Sequence, residues 1–174
     1  MQEFGWTEVF KGGDILWSGL ALPQDETELA TEMRVNRIPA MPHLCHKRTL
    51  GFMLNKFREY WPEHFWFYPR TYLLPDDEEH LQKKIKNGAV FIAKPSVGCQ
   101  GDGICLIKKL GDIPKLGSSE WIVQPYIDKP LLIGKRKFDL RLYVLISSVS
   151  PYICYLNEEG LARFCTEDYE QPTK

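Results

Sequence analysis

The sequence has no excess of charge of either sign. Its 22 Lys and Arg face 23 Asp and Glu, for a formal net charge of −1. That balance excludes the whole-chain attraction on which non-specific nucleic-acid binding depends. There is no CxxC pair among the five cysteines. Cys45, Cys99, Cys105, Cys154 and Cys165 form an odd set, and they read as reduced thiols of an intracellular protein. His43, Cys45 and His46 stand close together, but three ligand-type residues in one run do not make a zinc site without a second cluster. No basic segment leads into an apolar run at the N-terminus, so no signal peptide is expected. No apolar stretch reaches the length of a membrane span. Repeats and low-complexity segments are also lacking. The expectation is a soluble, cytoplasmic protein with neither nucleic acid nor membrane as a partner.

What is present is a globular composition. Of 174 residues, 44% are hydrophobic and 13% aromatic, enough for one domain or two small lobes with a core. Positive charge is local: Lys83, Lys84 and Lys86, then Lys108 and Lys109, then Lys129, Lys135, Arg136 and Lys137. Such clusters are ordinarily solvated faces, and the alternative is steering of an acidic partner.

Asp14 to Ser18 reads as a short strand. A helix is expected from Met41, with Pro42 in its first turn and Leu50, Met53, Leu54, Phe57 and Tyr60 as its apolar stripe; Pro62 lies past its end. Asp76 to Glu79 has the form of a capping box before a short helix that stops at Asn87-Gly88. Strands are expected at Ala89–Ala93, Ile104–Lys108, Trp121–Gln124 and, longest, Phe138–Ser147. Tyr152–Leu156 and Leu161–Cys165 flank Asn157 to Gly160 as a hairpin signature. Strands outnumber helices toward the C-terminus, which points to an α+β chain built in lobes.

The sharpest local feature is Lys94-Pro95-Ser96-Val97-Gly98-Cys99-Gln100-Gly101-Asp102-Gly103. Its glycines let backbone N–H groups approach a phosphate without a Cβ in the way. A plain hairpin turn would have the same glycines. A Walker loop or a Rossmann turn must open into a helix. Here Ile104 to Ile107 follows at once as a strand, so the loop joins two strands and would fold over a nucleotide as a flap. Lys94, before the loop, is either a snorkelling surface lysine or a point charge for phosphate. The neighbouring loop favours the second.

Lys137 to Leu145 alternates with period two, placing Phe138, Leu140, Leu142 and Val144 on one face and Lys137, Asp139 and Arg141 on the other. A wet strand face explains this, but Tyr143 and Leu145 continue the charged side as apolar residues. Charges lining a cavity must be paired or meet a ligand. Asp139 suits ribose hydroxyls and Arg141 phosphate oxygens. Gln124-Pro125-Tyr126-Ile127 is an extended, proline-bent segment that could offer backbone groups to an adenine edge. Arg163, between Leu161 and Cys165, needs an anionic partner, internal or bound.

These pieces, taken together, resemble the tubulin tyrosine ligase-like family, and within it the polyglutamylase branch. The resemblance is carried by Val35-Asn36-Arg37-Ile38-Pro39, Phe91 to Ser96, Gly98-Cys99-Gln100-Gly101, Gln124 to Ile127, Pro130-Leu131-Leu132-Ile133, Lys137 to Arg141 and Glu159 to Phe164, in family order. Each stretch is common; the ordered set is specific, and it argues against an unrelated ATP-grasp enzyme acting on a small carboxylate. The resemblance implies an α+β fold of ATP-grasp-like lobes with mostly antiparallel sheets. It divides the chain into an N-terminal segment, 1–34, and the family domain, 35–174.

It further implies an ATP-dependent ligase that uses magnesium and adds free L-glutamate to the acidic C-terminal tails of tubulin, through an acylphosphate. The place of action would be the cytoplasm and the cytoskeleton, with the cilium or basal body as a particular site. By position, Lys94, Gln100, Gly101, Gln124, Pro125, Tyr126, Ile127, Lys137, Phe138 and Asp139 would contact the nucleotide. Lys47 matches a basic family position there. Arg141 and Arg163 would be catalytic, on phosphate, and Gln100 and Arg163 would touch the amino-acid substrate. The residues leave glutamate and glycine both open as the amino acid added, and glutamate is preferred because its side-chain carboxylate would match Arg163. Asp102 departs from the pattern by placing a carboxylate in a phosphate-facing loop. The chain also stops at Lys174, before the family's magnesium-binding Asp, Glu and Asn. The expectation is a domain lacking its C-terminal part, with no metal ligands of its own and no ligase activity alone. The competing reading is a non-catalytic module that binds nucleotide or tubulin.

Overall fold

The computed structural model describes residues 5–9, 12–17, 33–38, 41–85, 88–98, 101–114 and 120–172. In chain order the elements are β1 (Ile15–Leu16), β2 (Arg34–Val35), α1 (Met41–Cys45), α2 (Lys47–Tyr60), β3 (Tyr72–Leu74), α3 (Glu78–Ile85), β4 (Phe91–Pro95), β5 (Cys105–Ile107), β6 (Trp121–Pro125), β7 (Leu132–Ile133), β8 (Arg136–Arg141), β9 (Val144–Val149), β10 (Tyr152–Leu156) and β11 (Leu161–Phe164). The class is α+β, and every pairing is antiparallel except the short β1–β2 contact.

The centre is an antiparallel sheet in the order β3-β6-β4-β5. Its registers pair Tyr72 with Val123, Leu74 with Trp121, Ala93 with Val123 and Phe91 with Ile107. Paired residues share a face, so these side chains project together. They bury against Leu81 and Ile85 of α3 and form the core. Each such side chain, fully buried, contributes about 1.5–3 kcal/mol. The opposite face carries Leu73, Ile122, Ile92, Lys94 and Gln124, again by register. This second face is where α2 docks.

That docking differs from the expected apolar stripe. Leu50 and Tyr60 are exposed, and Gly51 is the buried residue of α2. The inward side is polar: Arg48 donates to the Leu74 carbonyl at 3.0 Å, Asn55 to that of Thr71 at 2.6 Å, and Arg58 to that of Tyr68 at 2.7 Å. Long cationic side chains thus satisfy carbonyls of the segment leading into β3. Gly51 permits the approach, since a Cβ there would lie 2.7 Å from Thr71 Cγ2. The single expected helix is two, because His46 is extended between α1 and α2. The far end falls before Pro62, with the Trp61 N–H bonded to the Phe57 carbonyl.

Other expectations also change. Asp76 and Asp77 hold the preceding segment instead of forming the capping box. Asp77 accepts the Leu73 N–H at 2.9 Å, and Asp76 pairs with Arg48. The strand expected at 89–93 is β4, two residues further on, so Lys94 lies inside it and pairs with Ile122. The long strand expected at 138–147 is broken at Leu142 and Tyr143. Nor do Tyr152–Leu156 and Leu161–Cys165 pair with each other. β10 pairs with β9, while β11 pairs with β8, Leu161 opposite Arg141 and Phe164 opposite Phe138. The Asn157 N–H goes to the Tyr143 carbonyl at 2.9 Å. The β9–β10 hairpin is therefore an excursion between two strands that belong together. β7 enters β8 through Gly134 and Lys135, both left-handed at φ 56° and 64°, as a tight hairpin turn with the strand twist requires.

Candidate functional site

The second face of the central sheet carries a buried polar chain. Lys94 Nζ donates to Gln124 Oε1 at 2.9 Å, and Gln124 Nε2 donates to Thr71 Oγ1 at 2.9 Å. The Thr71 N–H donates to Asn55 Oδ1 at 3.1 Å. Thr71 and Gln124 are buried, and Lys94 is half-buried. Buried polar groups persist only when bonded, and each of these is.

Two more ammonium groups lie within electrostatic reach of Lys94. Burial, followed by repulsion from Lys47 on α2 and Lys137 on β8, holds the Lys94 pKa below its ordinary value. A concentration of like charge at a half-buried position is unfavourable unless an anion meets it. Lys47 Nζ donates to the carbonyls of Gly98 at 2.7 Å and Pro95 at 3.3 Å, and so ties α2 to the start of the glycine loop. The loop joins β4 to β5, strand to strand, as its sequence predicts. Gly98, Gly101 and Gly103 all have positive φ. A Cβ on Gly103 would also meet Pro95 Cγ at 2.9 Å. Asp102 is exposed.

Lys137 lies over the Tyr126 ring, 5.2 Å from its centroid. This contact links β8 to the segment after β6, where the Tyr126 N–H is bound to the Val90 carbonyl at 3.0 Å. Pro125 and Ile127 are exposed beside it. Lys137, Asp139 and Arg141 share one face of β8. On that face Asp139 is engaged by Arg163 through two bonds of 2.7 Å. Arg141 is exposed, and Phe138 packs against Phe164 on the other face, ring centroids 5.5 Å apart and tilted. The structure thus brings Lys47, Lys94, Gln124 and Lys137 together, and separately joins Asp139 to Arg163. Gln100 lies outside the described residues.

Sequence reasoning missed Thr71 and Asn55. A threonine in a proline-punctuated aromatic stretch has no pattern to mark it. Tyr169 was also missed. Its hydroxyl donates to the Asp128 carbonyl at 3.0 Å and its N–H to the Lys135 carbonyl at 2.8 Å. Burial, then hydrogen bonding with Tyr126, pushes its pKa up to about 12.

The cationic cluster and the open glycine backbone fit a polyphosphate. Magnesium is different. Among the described residues no group of three His, Cys, Asp or Glu could hold a metal ion, so these residues do not supply its ligands. Among them, too, no helix is long and apolar enough to cross a membrane.

The family model described as tubulin-tyrosine ligase family matches residues 26–174. The human protein named tubulin polyglutamylase TTLL11 is 40% identical over 171 residues, which cover 92% of this chain and 24% of that protein. The zebrafish tubulin polyglutamylase ttll6 is 35% identical, covering 99% and 22%. A probable beta-tubulin polyglutamylase of Tetrahymena thermophila is 38% identical, covering 91% and 14%. The chain therefore spans a quarter or less of the length of these relatives. Among solved structures, the C-terminal domain of Pby1 from K. lactis, an ATP-grasp enzyme, superposes with a TM-score of 0.63 at 19% identity, over 88% of this chain and 48% of that one. That likeness establishes the ATP-grasp type of fold.

Proposed function

This chain belongs to the tubulin-tyrosine ligase family, and on that premise we propose that its protein is an ATP-dependent ligase that adds glutamate to the acidic tails of tubulin. The observation that carries this reading is the cluster of Lys47, Lys94 and Lys137 beside a strand-to-strand glycine loop. A polyanion placed there would relieve the mutual repulsion of three ammonium groups. The glutamylating character rests on the names of the relatives, tubulin polyglutamylases.

In this proposal a tubulin glutamate carboxylate takes the γ-phosphoryl group of ATP, and ADP leaves. The amine of free glutamate then attacks the acyl carbon, phosphate leaves, and an amide remains. Lys94 and Lys47 hold phosphate oxygens, and Gln124 to Ile127 line the base. Lys137 and Asp139 serve the nucleotide further along β8. Arg141 and Arg163 meet the transferring phosphoryl group or the incoming carboxylate. Fixed cations aimed at developing charge are the main source of acceleration in such transfers. The place of action would be the microtubule cytoskeleton, cilia included.

The test is transfer of radiolabelled glutamate to tubulin with magnesium and ATP, by a protein that carries this chain within the complete family domain, as wild type and as Lys94→Ala. ATP-dependent incorporation that falls about 100-fold in the variant supports the reading. Binding of ATP and tubulin without incorporation reduces the protein to a binding module. Incorporation that is indifferent to Lys94 overturns the site.

A further inference from the structure

We infer that Thr71 is a positioning residue for the candidate nucleotide site: its hydroxyl fixes the Gln124 side-chain amide with Oε1 turned toward Lys94. The inference rests on the proposed function only for the identity of the ligand. The orientation itself follows from donor chemistry. An ammonium has protons and no acceptor, so the amide atom facing Lys94 at 2.9 Å must be oxygen. The amide nitrogen must then point away, toward Thr71 Oγ1 at 2.9 Å. Thr71 accepts that proton and directs its own to the Pro69 carbonyl at 3.4 Å. Each of these three bonds has a defined donor and a defined acceptor.

Thr71 is suited to this because it is held from several sides. It is wholly buried. Asn55 grips its backbone on both sides, accepting its N–H at 3.1 Å and donating to its carbonyl at 2.6 Å. Gly51 packs against its methyl group from α2. α2 is thereby connected through Thr71 and Gln124 to Lys94, and it reaches the same place again through Lys47. Valine in place of threonine would keep the shape and remove the acceptor. Gln124 Nε2 would be buried without a partner, and the amide would be free to turn and withdraw its oxygen from Lys94.

The experiment is an NMR titration of Lys94, through its side-chain carbon adjacent to the ammonium, in the whole chain without nucleotide. Charges bearing on Lys94, from Lys47 and Lys137, are unchanged in each variant. Thr71→Val is expected to lower the Lys94 midpoint by about one pH unit, because the charged form loses a hydrogen bond. Thr71→Ser, which retains the hydroxyl, should titrate as the wild type does. A fluorescent ATP analogue should bind about tenfold more weakly to the valine variant and not to the serine one. A folded Thr71→Val with an unchanged Lys94 midpoint overturns the inference. If the valine variant does not fold, the wild type still decides. The Gln124 side-chain protons must be protected from exchange and lie close to the Thr71 methyl, and rapid exchange would refute the arrangement. Should the wild type bind no nucleotide while Thr71→Val still shifts Lys94, the positioning role stands and the proposed ligand falls.

Discussion

Asp139 and Arg163 stand directly opposite one another on β8 and β11 and share two parallel bonds of 2.7 Å. The fork of a guanidinium matches the two oxygens of a carboxylate. The pair is exposed, so it contributes little to stability. In the proposed function, the pair would meet its ligand as two groups that already neutralise each other. Hydrogen bonds from Arg163 hold the Asp139 carboxyl below its ordinary pKa, with the charges of Arg163 and Arg141 adding to them and desolvation opposing. A depressed folded-state pKa gives stability that is present above the unfolded value and lost as pH falls through the folded one. Carboxyl NMR should therefore place the Asp139 midpoint below that of ordinary aspartates. Arg163→Met should raise it. A midpoint indifferent to Arg163 would show that the two groups are not paired in solution.

Lys47 should act on the loop and on Lys94 at once. Lys47→Met removes the donor to the Gly98 and Pro95 carbonyls and one of the charges that depress Lys94. Nucleotide affinity should fall about tenfold, since bonds from a charged donor contribute about 1.5–3 kcal/mol. The Lys94 midpoint should rise in the same variant. Equilibrium binding and lysine titration measure the two effects, and a fall in affinity without that rise would separate Lys47 from Lys94.

Gly51→Ala tests the helix contact. Alanine outranks glycine in a helix by about 1 kcal/mol. Here its Cβ would lie 2.7 Å from the Thr71 methyl carbon, and overpacking of that kind costs about 1–3 kcal/mol. The clash should outweigh the propensity gain, and urea unfolding should give a net loss of about 1 kcal/mol. Net stabilisation would mean that α2 is not held against Thr71.

Tyr169 should ionise late. Its pKa is pushed up to about 12, first by burial and then by its bond with Tyr126. Tyrosines of the unfolded chain ionise near pH ~10. The raised value adds stability that is fully present below about pH 10 and is lost as pH rises from there to about 12. Ultraviolet titration should show a phenol ionising near pH 12 that disappears in Tyr169→Phe.

Much of the central sheet was legible in the sequence because its signals are local. Glycines between two short apolar runs announce the β4-loop-β5 unit, and the pieces of the family pattern fall on it in order. Partner choice was not legible. Asn157 to Gly160 marks a change of direction, but whether β10 meets β9 or β11 depends on residues far away in the chain. The helix α2 misled through its periodicity. Met53, Leu54 and Phe57 of the expected stripe are half-buried, but its ends, Leu50 and Tyr60, are exposed, and the face that meets β3 adds Arg48, Gly51, Asn55 and Arg58, whose value lies in carbonyls that no sequence pattern displays. For the candidate site, Lys94, Gln124 and Lys137 were visible as a basic and polar set. Thr71 was not, because a buried hydroxyl acquires its meaning only from the amide it faces.

Because Lys94 and Gln124 project from the same strands whose reverse side forms the core, the floor of the site has no separate stability of its own. Amide protons of β4 and β6 should exchange only when the whole sheet opens. Loss of ligand recognition on heating should then coincide with unfolding and not precede it. A truncation of Leu81 or Ile85, on the far side of the sheet, would lower the temperature at which the candidate site survives without altering a single atom that lines it.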